Sequence, residues 1–228
     1  MPEHRDLDFT HIIRQIAITA VPILIAIILH EVAHGYVAYK LGDPTAKMLG
    51  RLTLNPIAHI DMFGTIIIPL LLFVFTNGQF VFGYAKPVPI NPYNFKNPKR
   101  DMAISAAGGP ATNILLAILS VLFLKYAVIP ASAFVSDDVV AKVIKPMVMM
   151  LTANVTINVI LASFNLIPIP PLDGGRVLMG LLPHKQAQAL GKLEPFGMII
   201  VLILVMTGMA GYIIMPLIRL FLGLIDMV

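Results

Sequence analysis

From Ile16 to Leu29 the chain carries no charged residue. The apolar run around that stretch, from about Ile12 to Leu41, exceeds the roughly 20 residues a helix needs to cross about 30 Å of hydrocarbon. Such a run has few conformations open to it. Hydrocarbon offers no water to backbone N–H and C=O groups, so a spanning segment must satisfy them within itself as a helix. The run ends at the turn signal Gly42-Asp43-Pro44. Comparable runs recur at about Asp101 to Ile129, Asp138 to Leu166 and Pro195 to Leu224, so a cleavable leader cannot account for them all. With 58% hydrophobic and 12% charged residues, against about 25% charged in soluble domains, and a mean hydropathy of +0.88, this is a multi-pass membrane protein.

Between these helices the chain is irregular in informative ways. Met62 to Phe75 is apolar but short, contains Pro69 and closes at Asn77-Gly78, the length of a re-entrant or interfacial segment. From Gln79 to Arg100, Phe80, Phe82 and Tyr84 alternate at period two before prolines take over, which predicts a short strand or hairpin and then an irregular loop. Pro130 and the pair Asp137-Asp138 mark the linker between the second and third helices. Ile167 to Leu178 is a proline and glycine break, followed by a short amphipathic or irregular stretch to Gly191. No repeat or separate soluble segment stands out. The expected fold is an all-α polytopic membrane protein of about four transmembrane helices plus a re-entrant segment and a short β-hairpin-like element, with residues 1–228 forming one membrane-embedded domain.

The net charge of +4 does not indicate nucleic acid, because the basic residues are scattered over short loops and gather on no soluble face. With no cysteine in the chain, disulfides and thiolate metal sites are excluded. A metal would have to sit on His, Asp or Glu.

The first apolar run ends in His30-Glu31-Val32-Ala33-His34. Four residues apart on a helix, the two imidazoles project from one face and can grip a single cation, with Glu31 beside them. In zinc hydrolases with this spacing the glutamate takes a proton from a water acidified by the metal. Hydrogen bonding between helices would be the blander use of such groups, yet ionisable residues inside a membrane are costly and usually functional. Two histidines leave a catalytic zinc one protein ligand short. Asp173 is the best candidate for the third, since it lies in the break Pro170-Pro171-Leu172-Asp173-Gly174-Gly175, and irregular backbone at membrane depth is tolerated where it lines a cavity. An Asp before Gly is also a common turn or cap residue. His59 and His184 are reserve ligands in interfacial loops.

These motifs, together with Gly109-Pro110-Ala111-Thr112-Asn113 and Asn165-Leu166-Ile167-Pro168-Ile169-Pro170, resemble the site-2 protease family of intramembrane zinc metalloproteases over nearly the whole chain. The resemblance implies His30, His34 and Asp173 as ligands of one Zn²⁺ and Glu31 as general base. It also implies that Asn165 holds substrate or steadies the oxyanion, although an asparagine there could equally bond to a neighbouring helix. Transmembrane proteins or peptides would be the substrates, and the linker after the second helix leaves no room for a PDZ or other soluble domain.

Zinc geometry then bears on topology. If Met62 to Phe75 crossed the bilayer, the first and third helices would end on opposite sides and the ligands could not meet, so a re-entrant path is expected. That path puts most of the 16 Lys and Arg residues, among them Lys40, Lys47, Arg51, Lys86, Lys99 and Arg176, on the side of the site. By the positive-inside tendency that side is cytoplasmic, in a cell-membrane protein. The aromatic alternation is either an edge for an extended substrate or an interfacial anchor. Gly108 and Gly109 are expected to be close-packing positions. A metal-ion transporter or carrier lined by intramembrane His and Asp is the alternative function, and a catalytically silent scaffold is a third.

Overall fold

The computed structural model describes residues 9–75, 77 and 83–226. These residues fold mostly into helices, and among them there is no strand. In chain order the longer helices are α1 (Phe9–Lys40), α2 (Met62–Phe75), α3 (Pro98–Phe134), α4 (Asp137–Asn165), α5 (Asp173–Leu181), α6 (His184–Gly191), α7 (Glu194–Met206) and α8 (Met209–Asp226). Three are long and apolar enough to cross a membrane: α1 from Ile18, α3 and α4.

Local chemistry sets the helix ends. Past α1, Gly42 takes φ +110°, and the Asp43 N–H reaches back to the Ala38 carbonyl at 2.9 Å. Only glycine adopts that conformation cheaply, and the bond uses a carbonyl the helix end would otherwise leave bare. Pro98 opens α3, where a missing N–H costs nothing. The fourth spanning helix expected from Pro195 to Leu224 is not continuous. Gly208 at φ +75° separates α7 from α8, and its N–H closes on the Val205 carbonyl at 3.0 Å. Taken with α6, across a 66° bend, α7 could make a fourth, broken span.

α1, α3 and α4 pack on one another. Small residues let them approach: a methyl at Gly108 would lie 3.1 Å from Val37 Cγ2 and 3.4 Å from the Ala33 carbonyl oxygen, as expected of a close-packing position. Ala117 of α3, Val155 and Val159 of α4 and Ile225 of α8 form one apolar core. Ile167, Leu172 and Val201 form another, which fastens the proline break to α7. Gly197 of α7 sits so close to the break that a Cβ there would overlap the Pro170 carbonyl. Leu24, Leu115, Leu119 and Ile160 stay exposed on the outer faces, as lipid-facing side chains do.

α2 is about 20 Å long, too short to cross. The chain comes back beside its start: the Tyr84 N–H donates to the Gly64 carbonyl (3.0 Å), the Lys86 N–H to the His59 carbonyl (2.9 Å), and the Thr65 hydroxyl to the Tyr84 carbonyl (2.9 Å). Among the described residues the expected hairpin-like element is not found. Phe80 and Phe82 lie outside the described residues. The described part, from Gly83 onward, is an extended strap with isolated bonds and no ladder, since Pro87 and Pro89 remove two donors a ladder would need.

Candidate metal centre

The last turns of α1 put His30 and His34 on the face turned toward α3. Each imidazole is braced there through Nδ1: His34 against the Ser105 carbonyl at 2.8 Å, His30 against Asn113 Oδ1 at 2.5 Å. Ser105 answers by donating its hydroxyl to the His34 carbonyl at 2.9 Å. Both Nε2 atoms consequently point to one spot, 3.0 Å apart.

Asp173 reaches the same spot from the far end of the sequence. It is the first residue of α5, where the helix dipole favours a carboxylate. Gly174 and Gly175 let α5 fold tightly onto the proline break, because a Cβ at either would lie 2.3 Å from the Leu166 carbonyl oxygen or 2.2 Å from the Pro170 nitrogen. Asp173 Oδ2 stands 3.1 Å from His30 Nε2 and 3.2 Å from His34 Nε2.

These residues fit a metal. A carbonyl oxygen only accepts, so His34 Nδ1 carries the proton and Nε2 of the neutral ring offers a lone pair. Asp173 Oδ2 is sealed from solvent and, among the described residues, has no hydrogen-bond partner. Converging acceptors in a buried site repel unless a cation joins them. Ligands about 2.0–2.1 Å from a tetrahedral zinc lie about 3.3 Å from each other, close to the separations here. Among the described residues, His30, His34 and Asp173 are the group of such side chains able to hold an ion. The space beneath them is kept open by Gly109, where a Cβ would sit 2.4 Å from His34 Nε2 and 2.6 Å from His30 Nε2. The glycine expected to pack against a helix is thus packed against the imidazoles themselves.

Glu31, half-buried, turns to the strap instead. Its Oε2 accepts the Val88 N–H at 2.8 Å. The strap is fastened on either side of this bond, by Arg51 donating to the Lys86 carbonyl at 2.8 Å and by Asp43 Oδ2 accepting the Asn91 N–H at 2.7 Å. Asn165 ends α4 and donates its amide to the Leu161 carbonyl at 3.0 Å, inside its own helix. The reserve ligands stay away from the group: His59 is buried against the Thr53 carbonyl, and His184 opens α6.

Ser105, Asn113 as a partner of His30, the Val88 N–H and the cradle at Gly109 were not assigned from the sequence. For Val88 a signal existed: between Pro87 and Pro89, neither of which has an N–H, its amide is the lone backbone donor.

Three side chains able to hold a metal on apolar helices, with a glutamate in the adjoining turn, are the arrangement expected of a membrane-embedded metallohydrolase. The profile of peptidase family M50 matches residues 18–208, and the chain belongs to that family, the site-2 proteases. It is similar to YwhC of Bacillus subtilis (strain 168), whose name places it provisionally among zinc metalloproteases, with 34% identity over 87% of this chain and 84% of that protein. It is also similar to Rip2 of Mycolicibacterium smegmatis (27% identity, 81% of this chain and 64% of that one). Rip2 of Mycobacterium tuberculosis (strain H37Rv) is 28% identical over 79% of this chain and 63% of its own length. Both carry the same provisional zinc-metalloprotease name. No solved structure matches the chain. The protein is a zinc-dependent metalloprotease of the intramembrane class, and the transporter alternative is not favoured.

Proposed function

We propose that His30, His34 and Asp173 hold one zinc ion, that Glu31 is the general base, and that the substrate is a transmembrane segment of another protein cut within or near the bilayer. The observation that carries this reading is the meeting of three buried ligand atoms within 3.2 Å of each other. When bound, zinc supplies Lewis acidity toward a carbonyl oxygen and makes a water acidic near neutral pH. Glu31 takes the proton of the attacking water and returns it to the leaving amine. The Val88 N–H holds the carboxylate in reach of that water. Asn165 steadies the substrate strand or the developing oxyanion.

A transmembrane helix hides its peptide bonds in its own hydrogen bonds, so the substrate unwinds locally before attack. The strap offers a place for the unwound strand. Tyr84, Lys86 and Val88 turn their N–H groups inward, and by alternation the edge at Ala85 faces the other way, able to bond an extended peptide. α2 dips into the membrane and returns, which leaves the site near the cytoplasmic face of the cell membrane, on the side with most of the basic residues. Residues 1–228 act as one membrane domain.

The test is cleavage of a single-span substrate by the purified protein, with and without a chelator. Chelation should abolish cleavage and added zinc should restore it. Glu31→Gln should lower cleavage by about 100-fold or more while zinc stays bound. Cleavage unaffected by both treatments would refute the assignment.

A further inference from the structure

We infer that Asn113, Asn158, Asn154 and Ser120 form a one-way hydrogen-bond chain that locks the His30 ring in the tautomer its role as a ligand requires. Asn113 and Asn158 are thereby positioning residues for the metal centre. The inference rests on the proposal that His30 binds zinc.

The chain runs through the middle of the bundle. His30 Nδ1 meets Asn113 Oδ1 at 2.5 Å. Asn113 Nδ2 donates to Asn158 Oδ1 at 2.7 Å. Asn158 Nδ2 donates to Asn154 Oδ1 at 3.0 Å, and Asn154 Nδ2 to Ser120 Oγ at 2.6 Å. Asn113 and Asn158 are wholly buried.

Oxygen and nitrogen of an amide look alike by shape, so the direction has to come from groups that cannot be reversed. Three backbone carbonyls supply it. The Ser120 hydroxyl donates to the Leu116 carbonyl at 2.8 Å, which uses its only proton and makes Ser120 Oγ an acceptor for Asn154. Asn158 Nδ2 also bonds the Asn154 carbonyl at 2.8 Å, so the nitrogen faces that way and Oδ1 faces Asn113. Asn113 Nδ2 is within 3.3 Å of the Ala26 carbonyl, so its Oδ1 is left for His30. An oxygen that only accepts requires a proton on His30 Nδ1. The Nε2 lone pair is then free and aimed at His34 and Asp173. His34 needs no such chain, because its Nδ1 faces a carbonyl directly.

The test uses the purified full-length protein and reads zinc affinity by chelator competition. In parallel, the tautomer of the ¹⁵N-labelled His30 ring is read in the metal-free state, assigned by difference from His30→Gln. In the wild type the ring should show Nδ1–H. Asn113→Leu should lose that signature and weaken zinc binding by about 10–100-fold. Asn158→Leu, which touches neither ring nor metal, should shift both readouts in the same direction by less. Asn158→Asp, neutral when buried, keeps an acceptor for Asn113 and a donor for Asn154 and should restore affinity. Folded Asn113→Leu with wild-type affinity and tautomer would overturn the inference. If Asn113→Leu does not fold, identical behaviour of the two Asn158 variants would overturn it equally. Zinc binding that survives His30→Gln would instead refute the ligand assignment itself.

Discussion

His30 and His34 leave α1 into a wall of α3, where a buried amide braces the first ring and a backbone carbonyl the second. Glu31, between them in sequence, looks the other way into an extended strap and is held by one backbone N–H. The geometry of the two imidazoles is thus fixed by spanning helices packed closely on one another. Glu31, the proposed base, is held by a loop, the part of a protein that opens most readily. Under the proposed mechanism, in which an unwound strand enters beside Glu31, that division is useful: the metal half stays preorganised while the base half can yield to the substrate.

The metal half should break hardest under the smallest change. Gly109→Ala adds one methyl group, placed 2.4 Å from His34 Nε2 and 2.6 Å from His30. Neither ring can retreat without losing its brace on α3. Displacement of a reacting group by about 1 Å can cost about 100-fold in rate, and activity should fall by that order, with zinc affinity falling alongside. Gly108→Ala is the control: its methyl would meet Val37 at 3.1 Å, so it should disturb packing with much less effect on zinc. Equal loss of zinc in the two variants would mean that helix packing, not the cradle, sets the ligand geometry.

The base half should respond without the metal. Val88→Pro removes the N–H that Glu31 accepts and leaves the ligands alone. Hydrogen bonds to charged groups are worth about 1.5–3 kcal/mol, so a drop in kcat of about 10- to 100-fold is expected, with zinc content unchanged. Val88→Ala, which keeps the N–H, should be much milder. Zinc lost from the proline variant would show that the two halves are not separable.

How much of this could be read beforehand follows from what kind of signal each feature leaves. The spans from α1, α3 and α4 are written in apolarity. His30, Glu31 and His34 are written in a helical spacing, and Asp173 in a charged residue amid a proline and glycine break. The interruption at Gly208 escaped because hydropathy is blind to φ, and α7 and α8 are equally greasy. The expected hairpin rested on the alternation of Phe80, Phe82 and Tyr84, of which only Tyr84 lies among the described residues, and the strap that follows it, interrupted by Pro87 and Pro89, forms no ladder. Asn154 and Asn158, four apart on one face of an apolar helix, did leave a signal, since buried amides need partners. That they point toward His30 is a property of three helices meeting, which no single stretch of chain contains.

The mildest lever on the comparison lies at the far end of the strap. Asp43, just past α1, is fully buried and accepts hydrogen bonds from the Thr45 N–H and hydroxyl, the Asn91 N–H and the Asn94 side chain. Burial alone would push its carboxyl up, but the bonds from Thr45, Asn94 and Asn91 outweigh it and hold the group below its ordinary value of 3.8. A depressed carboxyl favours the folded state above the ordinary value, and that contribution is lost as pH falls through the lower folded value. Asp43→Asn places an amide nitrogen against donors. It should therefore melt at a lower temperature than the wild type near pH 7, and the gap should narrow below about pH 4 as the wild-type carboxyl takes up its proton. Cleavage should fall only a few-fold with zinc retained, because Arg51 and the bonds at Tyr84 and Lys86 still hold the strap. A gap in melting temperature that stays constant with pH would mean that shape rather than charge at Asp43 anchors the loop. A loss of zinc in this variant would tie the strap to the metal half after all.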